Sequence, residues 1–341
     1  SYAISMPRDL MWLSRRVANM EVELVSIERV MEYVRLPSEE HAQTQAFEAA
    51  EVKETLRSVP SPPSCAIFAE GVRLRYSPDG PWILDDLSLR IPVGARIALI
   101  GRTGCGKSSF LSAVVRLYPT AGGCLRVHGA DVVRTPLLTL RKTVRVLLQD
   151  PIFFTGTIRS NLLSRPPPVA TLSAMPSSSA PVDMEDGPSD ACMDETLWQA
   201  LEQAGLEARI RKLPGGLGAR VEEAGQNFSQ GERQLLCLAR ALVDPHPVGR
   251  NGEGIDNTLG PRILLCDEPT SSCDPDTDKH IHGTLLHGLP ADWTLVVVCH
   301  RLHRIHEFDS VFVFDAGRMV EERSNKSLPL DPGSLGLQAR S

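Results

Sequence analysis

A glycine-rich run, Gly101-Arg-Thr-Gly-Cys-Gly106-Lys107-Ser108, offers the plainest chemistry in the chain. Its spacing, G-x-x-x-x-G-K-[ST], suits a loop that wraps phosphate. The glycines let backbone N–H groups turn inward around an anion, and a helix starting near Lys107 presents its positive end to the same place. Lys107 can reach β- and γ-phosphates, and the Ser108 hydroxyl suits Mg²⁺. Further on, the apolar run Ile263-Leu-Leu-Cys266 ends in two carboxylates, Asp267 and Glu268. Alone, such a run reads as a strand entering a solvated turn. Behind a phosphate loop it reads as a pair of tools: Asp267 to hold Mg²⁺ through water, Glu268 to orient or deprotonate an attacking water. A third segment, Asn227-Phe-Ser229-Gln-Gly231-Glu-Arg-Gln234, opens a helical run in which Ser229 can cap the first turn and leave its N–H groups as an anion site.

These groups need a scaffold. Strand candidates are Val72 to Tyr76, Trp82 to Ile91, Arg96 to Ile100, Val144 to Leu148, Ile263 to Cys266 and Leu295 to Cys299. Helical stretches lie between them, which predicts a mostly parallel α/β core. Ahead of it, Leu13, Val17, Met20, Leu24, Ile27, Met31 and Val34 fall at spacings of four and three, a heptad stripe on a helix of about 24 residues ended by Pro37. That stripe fits packing on its own domain or in a short coiled coil. Residues 37–64 turn polar and finish in Pro60-Ser-Pro-Pro63, a linker composition. Two further polar stretches, 165–193 and 246–261, read as surface insertions, the first with a disordered composition.

Composition narrows the function classes. The 341 residues are 42% hydrophobic and 23% charged, which describes an ordinary globular domain. The formal net charge is -6, and no basic stripe marks a nucleic-acid footprint. Eight cysteines are scattered without a C-x-x-C pair, so a reduced, cytosolic setting fits. His300, His303 and His306 recur every third residue but lack the clustered partners a zinc site recruits. No apolar run approaches the roughly 20 residues needed to span a bilayer, and nothing at the N-terminus resembles a signal peptide. The expectation is a chain that is soluble by itself.

In this order the motifs resemble the ATP-binding-cassette family, specifically the second nucleotide-binding domain of exporters of the multidrug-resistance-associated (subfamily C) type. The resemblance covers roughly residues 1–323. Phe228-Ser-Gln-Gly-Glu232 aligns with the family signature, usually Leu-Ser-Gly-Gly-Gln; three of five positions differ, while Ser229 and Gly231 are kept. Gln149 falls at the Q-loop glutamine, His300 in Cys-His-Arg-Leu at the switch histidine, and Ser271-Ser-Cys-Asp274 at the D-loop. Tyr76 sits where the family places an aromatic that stacks on adenine; on its own it would be an ordinary strand tyrosine. Pro269 stands where the subfamily commonly has alanine.

The resemblance implies a P-loop NTPase fold of RecA-like type, with a mostly parallel core, an antiparallel β subdomain and a helical signature subdomain. It implies residues 1–36 as the end of a last transmembrane helix and its cytoplasmic continuation, 37–64 as a linker, 65–325 as the nucleotide-binding domain, and 326–341 as a divergent tail. It also assigns roles. Tyr76, Gly101, Thr103, Gly104, Cys105, Gly106, Lys107, Ser108, Ser109, Gln149, Ser229 and Gly231 would bind nucleotide. Ser108, Gln149 and Asp267 would organise Mg²⁺, and Glu268, His300 and Lys107 would carry catalysis. ATP would lie between this chain's phosphate loop and the signature of a second nucleotide-binding domain, with transmembrane domains and no nucleic acid as further partners. The intact Glu268 fits the second domain, since the first often lacks it. The implied function is ATP hydrolysis driving export, with the domain on the cytoplasmic side of a membrane. Two other readings remain: a cassette ATPase that moves no substrate, and a regulatory module that binds ATP with little turnover.

Overall fold

The computed structural model describes residues 2–36, 39, 65–77, 79–163, 191–243, 262–271, 273–299 and 302–324. His300, residues 40–64 of the expected linker, 165–190 and 246–261 of the expected insertions, and the tail 326–341 lie outside the described residues. The chain divides into two units, 1–51 and 52–341.

In the first unit the helix α1 (Tyr2–Val34) has 33 residues, longer than the heptad stripe alone predicts. At 1.5 Å per residue it runs about 50 Å. Its apolar stripe is exposed throughout, from 42% at Met31 to 71% at Val34. Among the described residues no helix is long and apolar enough to cross a membrane.

The second unit is built on a six-stranded sheet. Its strands are β3 (Arg96–Gly101), β6 (Val144–Leu147), β9 (Ile263–Asp267), β10 (Thr294–Val298), β11 (Ser310–Asp315) and β12 (Arg318–Ser324), in the order β12-β11-β3-β10-β9-β6. All neighbours are parallel except β11 and β12. The expected mostly parallel core is therefore present. The inner strands β3, β9 and β10 read as unbroken apolar runs because both faces are covered. Ile97, Leu99, Leu265, Val296 and Val298 enter one hydrophobic cluster, while Ala98, Ile100, Leu264, Cys266, Leu295 and Val297 enter the other. Alternation along a strand produces that split.

On the first face lie α2 (Lys107–Val114), through Phe110, Leu111 and Val114, and a four-stranded antiparallel sheet. That sheet has the order β2 (Leu84–Pro92), β1 (Cys65–Leu74), β4 (Gly122–Val127), β5 (Ala130–Asp131), while β7 (Gly156–Thr157) and β8 (Arg220–Val221) pair with each other. The second cluster takes in Leu197 and Leu201 of Ala191–Gln203, Leu236 and Ala239 of Gln230–Leu242, and Ile281 of Pro275–Gly283. Among the longer strands, β4, β11 and β12 fall outside the six candidates read from sequence.

Candidate functional site

Strand order decides what meets what. β3 delivers the glycine loop and β9 delivers the two carboxylates, with β10 between them: Val298 is in register with both Leu99 and Asp267. The ends of β3 and β9 thus open on one side of the sheet, about 10 Å apart at 4.8 Å per strand. Ligands in open parallel sheets collect at such carboxyl ends.

Two glycines shape the loop. Gly101 has φ 152°, and a Cβ there would stand 2.3 Å from the Phe314 carbonyl oxygen. Gly106 caps α2 with φ 103°, a conformation side chains resist. Lys107 opens α2 and is only 5% exposed. Its Nζ donates to the carbonyls of Gly101 (2.8 Å) and Arg102 (2.9 Å), which satisfies a buried ammonium and keeps its charge at the loop. Thr103 and Gly104 are exposed on the outer turn; Cys105 is buried, its sulfur 3.6 Å from Lys107 Nζ. Cys105 therefore offers the loop its backbone, with the thiol turned inward.

The Ser108 hydroxyl donates to Asp267 Oδ1 at 3.0 Å, across 159 residues of sequence. A hydroxyl and a carboxylate are hard oxygen donors of the kind Mg²⁺ takes, beside a loop that suits phosphate. The residues present therefore fit Mg²⁺. Among the described residues no group of three or more His, Cys, Asp or Glu could hold a metal ion by itself; His300, in the histidine run, lies outside them.

Glu268 follows with φ 47°, a left-handed backbone rare outside glycine and Asn or Asp. Half-buried, it lines a cavity of about 150 Å³ with Ser271, His282 and Cys299. Cys299 ends the β10 run and donates its N–H to Leu99 O at 3.0 Å. Burial pushes its thiol up to about 12. The thiol of Cys266, fully enclosed on β9, is pushed up further by the same cause.

Tyr76 lies in the connection from β1 to β2. Its hydroxyl shares a 2.7 Å hydrogen bond with Ser109 Oγ, so the expected base platform and the phosphate-loop helix are physically joined. Gln149, just past β6, is exposed. Its backbone carbonyl accepts from Nε2 of Gln234, a buried residue on Gln230–Leu242. Three residues on, the Ile152 carbonyl accepts from Arg240 Nη1 at 2.9 Å, with the Arg240 guanidinium 5.0 Å from the Phe153 ring. The helix that starts at the signature thus grips the Gln149 segment at two points. Neither Gln234 nor Arg240 stands among the sequence candidates, because pairings 85 and 88 residues apart leave no mark in local spacing.

Ser229 is the N-cap of α3 (Gln230–Leu242) and belongs to a reciprocal capping box. Ser229 Oγ accepts from Glu232 N–H at 3.2 Å, and Glu232 Oε2 accepts from Ser229 N–H at 2.9 Å. Arg209 Nε adds a 2.9 Å bond to Glu232 Oε1. Burial pushes the Glu232 carboxyl up, but the Ser229 N–H and Arg209 outweigh it and hold it below the usual glutamate range. Glu232 gives one carboxylate oxygen to Ser229 N–H and the other to Arg209, a division that glutamine's single side-chain oxygen would not reproduce. A side chain at Gly231 would meet Thr277 and Asp274. Asp274 caps the helix Pro275–Gly283, accepting from Asp276 N–H and Thr277 N–H at 3.2 and 3.0 Å.

Residues 84–249 match the family described as ABC transporter. Similar curated proteins include ATP-binding cassette sub-family C member 8 of Homo sapiens, 33% identical over 94% of this chain and 17% of that protein. A multidrug resistance protein of Leishmania tarentolae is 30% identical over 98% of this chain and 20% of its own length. The chain thus spans about a fifth or less of these relatives. A solved bacterial Atm1-family ABC exporter with ATP bound superposes with a TM-score of 0.60 and 26% identity, covering 83% of this chain and 43% of that one. The parallel core with its glycine loop is a P-loop NTPase fold, and the chain belongs to the ABC transporter family.

Proposed function

We propose that the chain binds Mg-ATP at Gly101–Ser108 and hydrolyses it as one half of a paired nucleotide site, driving an exporter of the subfamily C type. The observation that carries this reading is the Ser108–Asp267 hydrogen bond, which sets a hydroxyl and a carboxylate side by side at the phosphate loop. Lys107 and the backbone N–H groups from Thr103 to Ser109 hold the phosphates, and Tyr76 stacks on the base. Ser108, Asp267 and Gln149 would hold Mg²⁺, which when bound would neutralise negative charge on the phosphates. Glu268 orients a water and takes its proton as the water oxygen attacks the γ-phosphorus in line and the bond to ADP breaks. His300 contacts the γ-phosphate. Catalysis is mostly positioning and electrostatic stabilisation.

Ser229 and Gly231 serve the ATP held chiefly by a second nucleotide-binding domain, paired head to tail. In the whole protein the chain lies on the cytoplasmic side beside transmembrane domains, as the second of two such domains. The exposed apolar stripe of α1 supports its reading as the continuation of a membrane helix. The test is ATP turnover against protein concentration, comparing wild type with Glu268→Gln. Turnover that climbs more than linearly and is lost in the variant is expected. Tight ATP binding without turnover in either protein would favour the regulatory half-site instead.

A further inference from the structure

Tyr76 is 52% exposed, yet it is held at two places. The bond to Ser109 Oγ fixes its hydroxyl end. Its ring meets Tyr118 in an edge geometry, with centroids 4.5 Å apart and planes at 61°. Tyr118 stands just beyond α2, in a turn with its own anchor. Arg116, 5% exposed and at φ 51°, donates through Nη1 to the carbonyls of Val132, Val133 and Thr135 at 2.7 to 2.8 Å. The connection carrying Tyr76 is also stiffened, by Ile83 N–H donating to Leu74 O at 2.9 Å and by Arg75 over the Trp82 ring at 4.8 Å.

We propose that Tyr118 is a positioning residue for nucleotide binding: it fixes the Tyr76 ring so that a purine base meets a preset stacking platform. The proposal rests on Tyr76 being that platform. A half-exposed aromatic held only by its own Cα–Cβ bond samples several orientations, and a base stacking on it must first freeze one. A ring already held by an edge-on neighbour and a hydrogen bond loses little on binding, which is worth about threefold to tenfold in affinity. Tyr118 is itself 43% exposed, beside Leu117 at 53%, so its ring adds little to the core and its removal leaves the fold intact. The effect belongs to the base half of the ligand, because the phosphates are held by Lys107 and the backbone N–H groups of the loop rather than by the Tyr76 ring.

Binding of ATP and of inorganic tripolyphosphate to the full chain separates the possibilities. The proteins compared are wild type, Tyr118→Leu, Tyr118→Phe and Tyr76→Ala. Tyr118→Leu is expected to weaken ATP about threefold to tenfold, leave tripolyphosphate unchanged, and raise KM for ATP with kcat unaltered. Tyr118→Phe keeps the ring and restores wild-type affinity. If Tyr76→Ala loses ATP affinity while Tyr118→Leu binds ATP as wild type does, the proposal is overturned and the platform reading stands. Equal weakening of ATP and tripolyphosphate by Tyr118→Leu marks a structural role and also overturns it. If Tyr76→Ala binds ATP like wild type, the platform reading itself fails.

Discussion

Replacing Glu232 by glutamine changes one proton's worth of chemistry at the start of α3, and the structure fixes what should follow. Glutamine keeps an oxygen that can accept from Ser229 N–H, so the capping box can persist in neutral form. Two charge effects are lost. The pair with Arg209, whose side chain is 44% exposed, is worth about 0.2–1 kcal/mol. A carboxylate in the first helical turn is worth about 0.3–1 kcal/mol against the helix dipole. The loss should therefore be about 1 kcal/mol near neutral pH. Its pH dependence follows from the carboxyl lying below its ordinary range in the folded chain. Stability from such a group is fully present above the unfolded glutamate pKa of about 4.3 and is lost as pH falls through the lower folded value. Urea unfolding of wild type and Glu232→Gln, followed from neutral pH downward, should give two curves that are separated at neutral pH and converge in acid. Ser229→Ala is the control. It removes a hydroxyl cap worth about 1 kcal/mol that does not titrate, so its deficit should persist. A constant gap between wild type and Glu232→Gln across the range would refute the assignment of this stabilisation to charge.

Other outcomes follow from packing. Gly101→Ala, which forces a Cβ to within 2.3 Å of Phe314 O at φ 152°, should cost more than about 2 kcal/mol and abolish nucleotide binding, read by thermal melting and ATP titration. Leu265→Ala empties a fully buried site in β9 two residues before Asp267 and should cost about 2–5 kcal/mol in denaturant unfolding. In native-state alkylation read by mass spectrometry, half-buried Cys124 should be modified well before Cys105, Cys266 and Cys299; early modification of Cys105 would contradict its inward orientation.

What the sequence made legible tracks how local each signal is. The glycine loop and the Asp267–Glu268 strand are contiguous, and their spacing alone carries the chemistry. The buried parallel strands are visible because two covered faces leave no polar alternation to blur them. β12, Arg-Met-Val-Glu-Glu-Arg-Ser, offers no such pattern, since it is a largely exposed edge that exists by pairing with β11. β4 opens with two glycines, which weaken any strand signal, and is held in place by β1. β11 is a different case: Val311, Phe312, Val313 and Phe314 are good strand formers, and its place beside β3 is set by topology that no local window contains. The same limit applies at the site. Gln234 gripping Gln149, Arg240 gripping Ile152 and Tyr118 abutting Tyr76 each need the folded chain to bring distant residues together.

The backbone under Glu268 has a consequence for how this protein can change. The residue sits at φ 47° and is followed by Pro269, whose ring normally keeps the preceding residue extended. Left-handed backbone costs a side chain about 1–2 kcal/mol that glycine would not incur. Glycine here should therefore yield a sturdier protein stripped of the group proposed to activate water. On the proposed role of Glu268, thermostability and turnover are set against each other at this position, and a lineage released from the need for turnover would drift toward the more stable, inert form.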